Sequence, residues 1–109
     1  MEDKILLEKI RSGDHAVYAE IVRRYQTRIL QLCTSMLPGS ESEDVAQEIF
    51  IKAFYALDRF QGKSSFYTWL YRIAANHCLD RIRKHARHPS ESWDELLAKK
   101  GDEIEKLIA

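Results

Sequence analysis

The side chains able to do covalent or metal chemistry are few: His15, His77, His85, His88, Cys33 and Cys78. An enzyme needs a nucleophile, a base or a metal held in a pocket. His85 and His88 lie three residues apart and would share a helical face. Arg81, Arg83, Lys84 and Arg87 surround them, however, and that charge opposes a divalent cation. The sequence has no Gly-rich phosphate loop, no HExxH and no paired-cysteine motif. Catalysis, a bound metal and a cofactor are therefore not expected. Cys33 and Cys78 both fall in apolar helical patterns, where a reduced thiol packs as a small hydrophobe. The cytoplasm is the expected compartment.

Binding chemistry has better raw material. Asp44, Gln47 and Glu48 stand at i, i+3 and i+4, on one turn of one helical face. Acids near a helix N-terminus complement its dipole by about 0.3 to 1 kcal/mol each, and on spacing alone that explanation suffices. The functional alternative is a docking face for a basic partner, where rim charges set orientation and association rate. Farther along, Phe60, Phe66, Tyr67, Trp69 and Tyr71 crowd into residues 59–72 with Arg59, Lys63 and Arg72. Aromatics interleaved with cations stack unpaired bases while neutralising phosphates, each stacked base contributing about 1 to 3 kcal/mol. Phe66 and Trp69 are claimed by the core, which leaves Phe60, Tyr67 and Tyr71 as the stacking candidates. Arg81, Arg83, Lys84 and Arg87 follow as a basic group suited to phosphate contacts.

The elements that position these residues read as helices. The chain of 109 residues is 45% apolar and 31% charged, with four Gly and two Pro, as expected of one compact domain. Its 17 basic and 17 acidic residues cancel, but unevenly. Residues 59–88 hold seven basic side chains and one acidic, between acidic flanks at 1–58 and 89–109. Charges interrupt every apolar run well short of the roughly 20 residues a membrane helix needs, and the start lacks the pattern of a secretory signal. Neither membrane insertion nor export is expected.

Ile5, Leu6, Leu7 and Ile10 predict a short first helix ending at Ser12 and Gly13. Asp14 would cap a second, with Tyr18, Ile21, Val22, Tyr25, Ile29, Leu32 and Met36 inward, until Pro38 and Gly39 end it. Ser40 and Glu43 have capping-box spacing for a third, whose inner face is Ala46, Ile49, Phe50, Ala53, Phe54 and Leu57. Residues 58–64 form a loop, and Ser64 or Ser65 caps a fourth. There Phe66, Leu70, Ile73, Ala74, Cys78, Leu79 and Ile82 face in, while Thr68, Arg72, Asn76, Asp80, Arg83 and Arg87 make a polar stripe. Residues 92–97 and 102–108 would be short helices beyond it. The expected architecture is all-α: a compact bundle of about four helices over residues 1–90, then an acidic tail over 91–109.

Three motifs in order now point to a family. They are Asp44-Val45-Ala46-Gln47-Glu48-Ile49-Phe50-Ile51-Lys52-Ala53-Phe54, then Ala56-Leu57-Asp58-Arg59-Phe60, then Phe66-Tyr67-Thr68-Trp69-Leu70-Tyr71-Arg72-Ile73-Ala74-Ala75-Asn76. Together they resemble region 2 of the extracytoplasmic-function (ECF) group of the sigma-70 family, over residues 14–88. The resemblance implies an all-helical domain that binds the clamp helices of the β′ subunit of bacterial RNA polymerase. It also implies recognition of the minus-ten promoter element during strand opening, by capture of a flipped base of the non-template single strand. Asp44, Gln47 and Glu48 match the family's polymerase-binding surface. Lys52, Ala56, Phe60 and Tyr71 match positions lining or supporting the base pocket, and Arg72 and Asn76 match the DNA-facing side of the fourth helix. Lys63 and Tyr67 join this DNA-binding set from the aromatic and cationic cluster.

The resemblance implies no catalysis by the domain, since the polymerase makes the phosphodiester bonds. An anti-sigma protein is a further partner that such factors commonly meet at the polymerase-binding surface. A complete member would add region 4, a helical domain for the minus-thirty-five element; the sequence stops at Ala109 without one, as an excised domain or a short protein would. Two other readings compete. A regulator inserting its fourth helix into duplex DNA would use the same basic residues but leave Phe60 and the acidic turn unexplained. A purely protein-binding bundle would treat the basicity of 59–88 as solvated surface.

Overall fold

A computed structural model describes residues 2–87. Among them four α-helices account for most of the chain: α1 (Asp3–Arg11), α2 (Tyr18–Met36), α3 (Gly39–Ala56) and α4 (Phe66–Arg87). Single 3-10 turns at His15–Val17 and Leu57–Arg59 lead into α2 and out of α3. The described residues include no strand. None of their helices is long and apolar enough to cross a membrane. The expected helices at 92–97 and 102–108, and the 91–109 tail, lie outside the described residues.

The core follows the helical periods. Ile21, Ile29, Leu32, Cys33 and Met36 of α2 meet Val45, Ala46, Ile49, Phe50 and Ala53 of α3, and Phe66, Leu70, Ala74 and Cys78 of α4. In α4 the four buried positions recur every fourth residue, which places them on one stripe. Leu6, Leu7 and Ile10 bring α1 onto the same core, whereas Ile5, part of the apolar pattern that predicts this helix, is 42% exposed. The Cys33 and Cys78 sulfurs touch at 3.9 Å across the α2–α4 contact, both as free thiols. That contact and burial push the Cys78 thiol up, so it packs as a neutral apolar group.

Two expected caps do not form, and the reason in each case is where the backbone starts to turn. The 3-10 turn at 15–17 runs straight into α2, and the Val17 N–H donates to the Asp14 backbone carbonyl at 3.3 Å while the Asp14 carboxylate makes no cap bond. Helix α3 begins at Gly39, directly after buried Pro38. Ser40 therefore lies within the first turn rather than at the capping position, and no box with Glu43 forms. Ser42, almost fully buried, instead donates to the Gly39 carbonyl at 3.2 Å. The other two helix boundaries match expectation. Gly13 has φ 110°, the left-handed geometry that lets the chain leave α1. Ser65 Oγ accepts the Thr68 N–H at 3.1 Å and caps α4.

Candidate nucleic-acid and protein interfaces

The loop between α3 and α4 builds the first site. Leu57 is buried and anchors the 3-10 turn; Phe60 follows in extended conformation, and Gly62, at φ 75°, turns the chain back toward Ser65. Phe60 is half-buried. Its ring lies 5.9 Å from that of Phe66 and 5.2 Å from that of Trp69, so one side of it belongs to an aromatic cluster at the start of α4. It also lines a cavity of about 240 Å³, together with Arg59, Gln61, Lys63, Ser64, Trp69 and Arg72. Three cations around two aromatic walls suit a planar base carrying a phosphate.

Of the residues assigned to DNA, Phe60, Lys63 and Arg72 line this cavity. Lys52, Ala56, Tyr71 and Asn76 do not. Lys52 is exposed on α3, Ala56 ends that helix, and Tyr71 and Asn76 are exposed along α4 with Thr68 and Arg72. Tyr67 sits in a row of rings instead. It stacks on Tyr25 at 5.3 Å, meets Tyr71 at 6.0 Å, and carries the Arg28 guanidinium 5.1 Å from its ring centre. Tyr25, Arg28 and Trp69 are additions from the structure. The first two come from α2, more than 35 residues away in sequence, and no local pattern pairs them with Tyr67.

The second site lies on α2 and α3. Asp44 and Gln47 are exposed as expected, but Glu48 is engaged within the domain. Its carboxylate accepts two bonds from Arg81, at 2.9 and 2.7 Å, and lies 2.8 Å from His77 Nε2. Arg81 also donates to Glu41 at 3.1 Å. The His77 hydrogen bond and the Arg81 charge hold the Glu48 carboxyl below the usual carboxylate range. Arg81, expected among the phosphate contacts, is thus committed to tying α4 to α3, its side chain only 23% exposed. Charge type and spacing revealed neither acidic partner, because both lie on another helix. Arg83 and Lys84 are exposed, with Asp80 3.6 Å from Arg83. Arg87 is in the last turn of α4.

Beside Gln47 runs a groove of about 880 Å³ between α2 and α3, floored by Val22, Leu30, Phe50 and Phe54. Its rim includes Glu43, Ile51 and Tyr55. Ile51 is 58% and Tyr55 78% exposed, the most open of the large hydrophobic side chains among the described residues. Apolar side chains so open on a helix mark a surface built to be covered. The groove and the loop cavity share no lining residue. Among the described residues no group of three or more His, Cys, Asp or Glu is placed to hold a metal ion.

Fold and sites together define an all-helical binding module with one apolar, acid-rimmed groove and one cationic, aromatic cavity. Comparison with known proteins names its family. Sigma-70 region 2 matches residues 21–88, and the chain belongs to that family, in its ECF branch. It is 41% identical over 92 residues to the ECF RNA polymerase sigma-E factor of Escherichia coli (strain K12), covering 84% of this chain and 48% of that protein. It is 42% identical over 92 residues to the RNA polymerase sigma-H factor of Pseudomonas aeruginosa, with the same coverage. The chain thus spans about half the length of the curated relatives it matches. An engineered region 2 of sigmaE, solved by NMR in complex with GTAAAA, superposes with a TM-score of 0.76 at 37% identity. That match covers 83% of this chain and 95% of the engineered one. The all-α, four-helix reading of the sequence agrees with it.

Proposed function

We propose that this domain serves transcription initiation by docking on RNA polymerase through the α2–α3 groove and holding the non-template strand of the minus-ten element at the loop cavity. The observation that carries the reading is the cavity of Arg59, Phe60, Lys63, Trp69 and Arg72, found on a fold whose relative was solved with a single hexanucleotide sequence, GTAAAA. A base swung from the stack costs a few kcal/mol, and a preformed aromatic pocket with cations at its rim offsets that cost. Binding energy opens the strand, and the domain makes and breaks no bond.

The β′ clamp helices are the occupant proposed for the groove. An apolar floor accepts the apolar face of a helix. Glu43 and Asp44 at the edge would orient a basic partner. Glu48 contributes by holding α3 against α4 rather than by presenting a free carboxylate. An anti-sigma protein would compete for the same groove. The domain acts where the polymerase is, in the cytoplasm. Arg83, Lys84 and Arg87 extend the phosphate track along α4 beyond Arg72 and Asn76.

The test is direct. Purified chain should bind single-stranded promoter DNA more tightly than the same sequence as duplex, and should capture polymerase core from a bacterial lysate. Asp44→Lys combined with Gln47→Lys should abolish the second and spare the first. Loss of both, or of neither, would overturn the assignment of two separate surfaces.

A further inference from the structure

Phe60 stands between two cavities. It lines the cationic cavity and also a space of about 510 Å³ between α1 and the loop, lined among others by Leu7, Arg11, Phe60, Gln61 and Phe66. Nothing in the loop itself decides which space the ring occupies. Among the described residues, the Phe60 N–H bonds only locally, to the Leu57 carbonyl at 3.1 Å. Gly62, two residues on, turns the chain at φ 75° and adds no side chain to hold the ring.

What decides it comes from α1. Arg11, the last residue of that helix, reaches across and donates to the carbonyls of both Leu57, at 3.1 Å, and Phe60, at 2.7 Å. Leu57 opens the 3-10 turn that continues α3 and Phe60 follows it, at a helix C-terminal end where a cation is favoured; the Leu57 carbonyl accepts the Phe60 N–H as well. The same guanidinium lies 5.8 Å from the centre of the Phe60 ring. Both bonds leave from one nitrogen, Nη2, so the rest of the planar group is left to lie against the ring; an ammonium could reach the carbonyls but has no plane to cover the ring. The far end of α1 is held independently: Asp3 accepts from Arg24 at 2.9 Å and from the Tyr25 hydroxyl. Helix α1 is therefore a strut fixed at one end to α2 and at the other to the loop. It precedes the 21–88 segment that matches the family.

We propose that Arg11 is a positioning residue for strand recognition: by bridging the Leu57 and Phe60 carbonyls and covering the ring, it fixes Phe60 as the wall of the cationic cavity. The inference rests on the reading of that cavity as the single-strand site. Without Arg11 the ring is free to move toward α1, and the base loses its stacking surface while the surrounding cations remain. Affinity without selectivity is the expected result.

The experiment captures DNA from a random-sequence single-stranded pool with the full chain and sequences what is bound. The unsubstituted chain should enrich a motif. Arg11→Lys and Arg11→Gln should bind a similar total amount at low salt but enrich that motif about tenfold less, the equivalent of one lost stacking contact. Arg24→Gln, which loosens the other end of α1 without touching Phe60, serves as the stability control. At matched loss of melting temperature it should keep its enrichment. Equal enrichment by the Arg11 variants and the unsubstituted chain would overturn the positioning role, as would an equal loss in Arg24→Gln. No enrichment by the unsubstituted chain would overturn the cavity reading itself, and the role of Arg11 with it.

Discussion

The two surfaces of this domain are built on opposite plans. The α2–α3 groove is wide, floored by side chains whose other faces belong to the core, and held by two long helices that cannot separate without exposing Ile21, Ile29 and Ile49. The loop cavity is less than a third of that volume, and its central wall, Phe60, sits on irregular backbone secured by one arginine from another helix. A rigid groove suits a folded protein partner, which brings its own shape. A small cavity on an irregular loop suits a single base, for which the placement of one ring matters more than area. Damage should therefore stay local: changes at the cavity should alter strand selection, and changes at the groove should alter docking.

The largest effect is expected at the cavity. Phe60→Ala should lower single-strand preference at least about tenfold while keeping polymerase capture. The ring is only half-buried, so its loss should destabilise less than the roughly 3 to 5 kcal/mol of a core Phe truncation. Ile49→Ala in the shared core is the contrast, costing about 2 to 5 kcal/mol and weakening both activities together. Melting temperature measured beside strand affinity separates the two. The comparison breaks if Phe60→Ala melts like Ile49→Ala, because Phe60 would then be core.

The next effect is expected at the groove. Replacing Ile51 and Tyr55 by Ser removes exposed apolar side chains that contribute little to folding. It should weaken polymerase capture several-fold, with strand affinity and melting temperature nearly unchanged. Unaltered capture in a pull-down would return the docking site to the acidic turn alone.

The sequence made these two regions legible to different degrees, and the reason is physical. The cavity announces itself because aromatic and cationic types concentrate within one short stretch, 59–72. The groove does not, because Ile51 and Tyr55 alternate along α3 with Ile49, Phe50, Ala53 and Phe54. A helix with apolar residues on most faces hides which of them stay open. Ion pairs between helices are equally hidden: Arg81 looks like its exposed neighbours Arg83 and Lys84, and only the fold brings Glu41 and Glu48 to it. Most of each helix stripe was legible, since burial every third or fourth residue is a local property, but fully buried Val45 fell outside the expected inner face of α3. The caps at Asp14 and Ser40 were not legible, because backbone carbonyls, in the 3-10 turn that follows Asp14 and in the helical turn that already begins at Gly39, take up the donors that the side chain would satisfy.

The basic end of α4 sharpens the comparison further. Arg83→Ala should weaken binding to all sequences alike and flatten the salt dependence by about one unit of slope. Arg81→Ala should leave that slope unchanged and instead destabilise the fold by about 1 to 2 kcal/mol, between the values of exposed and buried pairs. Affinity titrations at several salt concentrations, with thermal melts of both variants, check the pair.

The smallest effect is expected with pH. The folded-state pKa of Glu48 lies below its ordinary value of 4.5. Its contribution to stability is therefore complete above that value and is lost as pH falls through the lower, folded one. The side chain is 43% exposed, so solvent screening keeps the contribution small. Glu48→Gln should flatten this part of the acid limb in melts taken below pH 5, and an unchanged limb would show that Arg81 holds α3 through Glu41 alone.

The most direct test of two separate surfaces is one binding measurement. An oligonucleotide enriched from a random single-stranded pool is titrated against the chain, alone and annealed to its complement, in the absence and presence of polymerase core. The account predicts tighter binding of the single strand than of the duplex, and strand binding that persists when the groove is occupied. Equal or tighter duplex binding, or displacement of the strand by polymerase core, would contradict it.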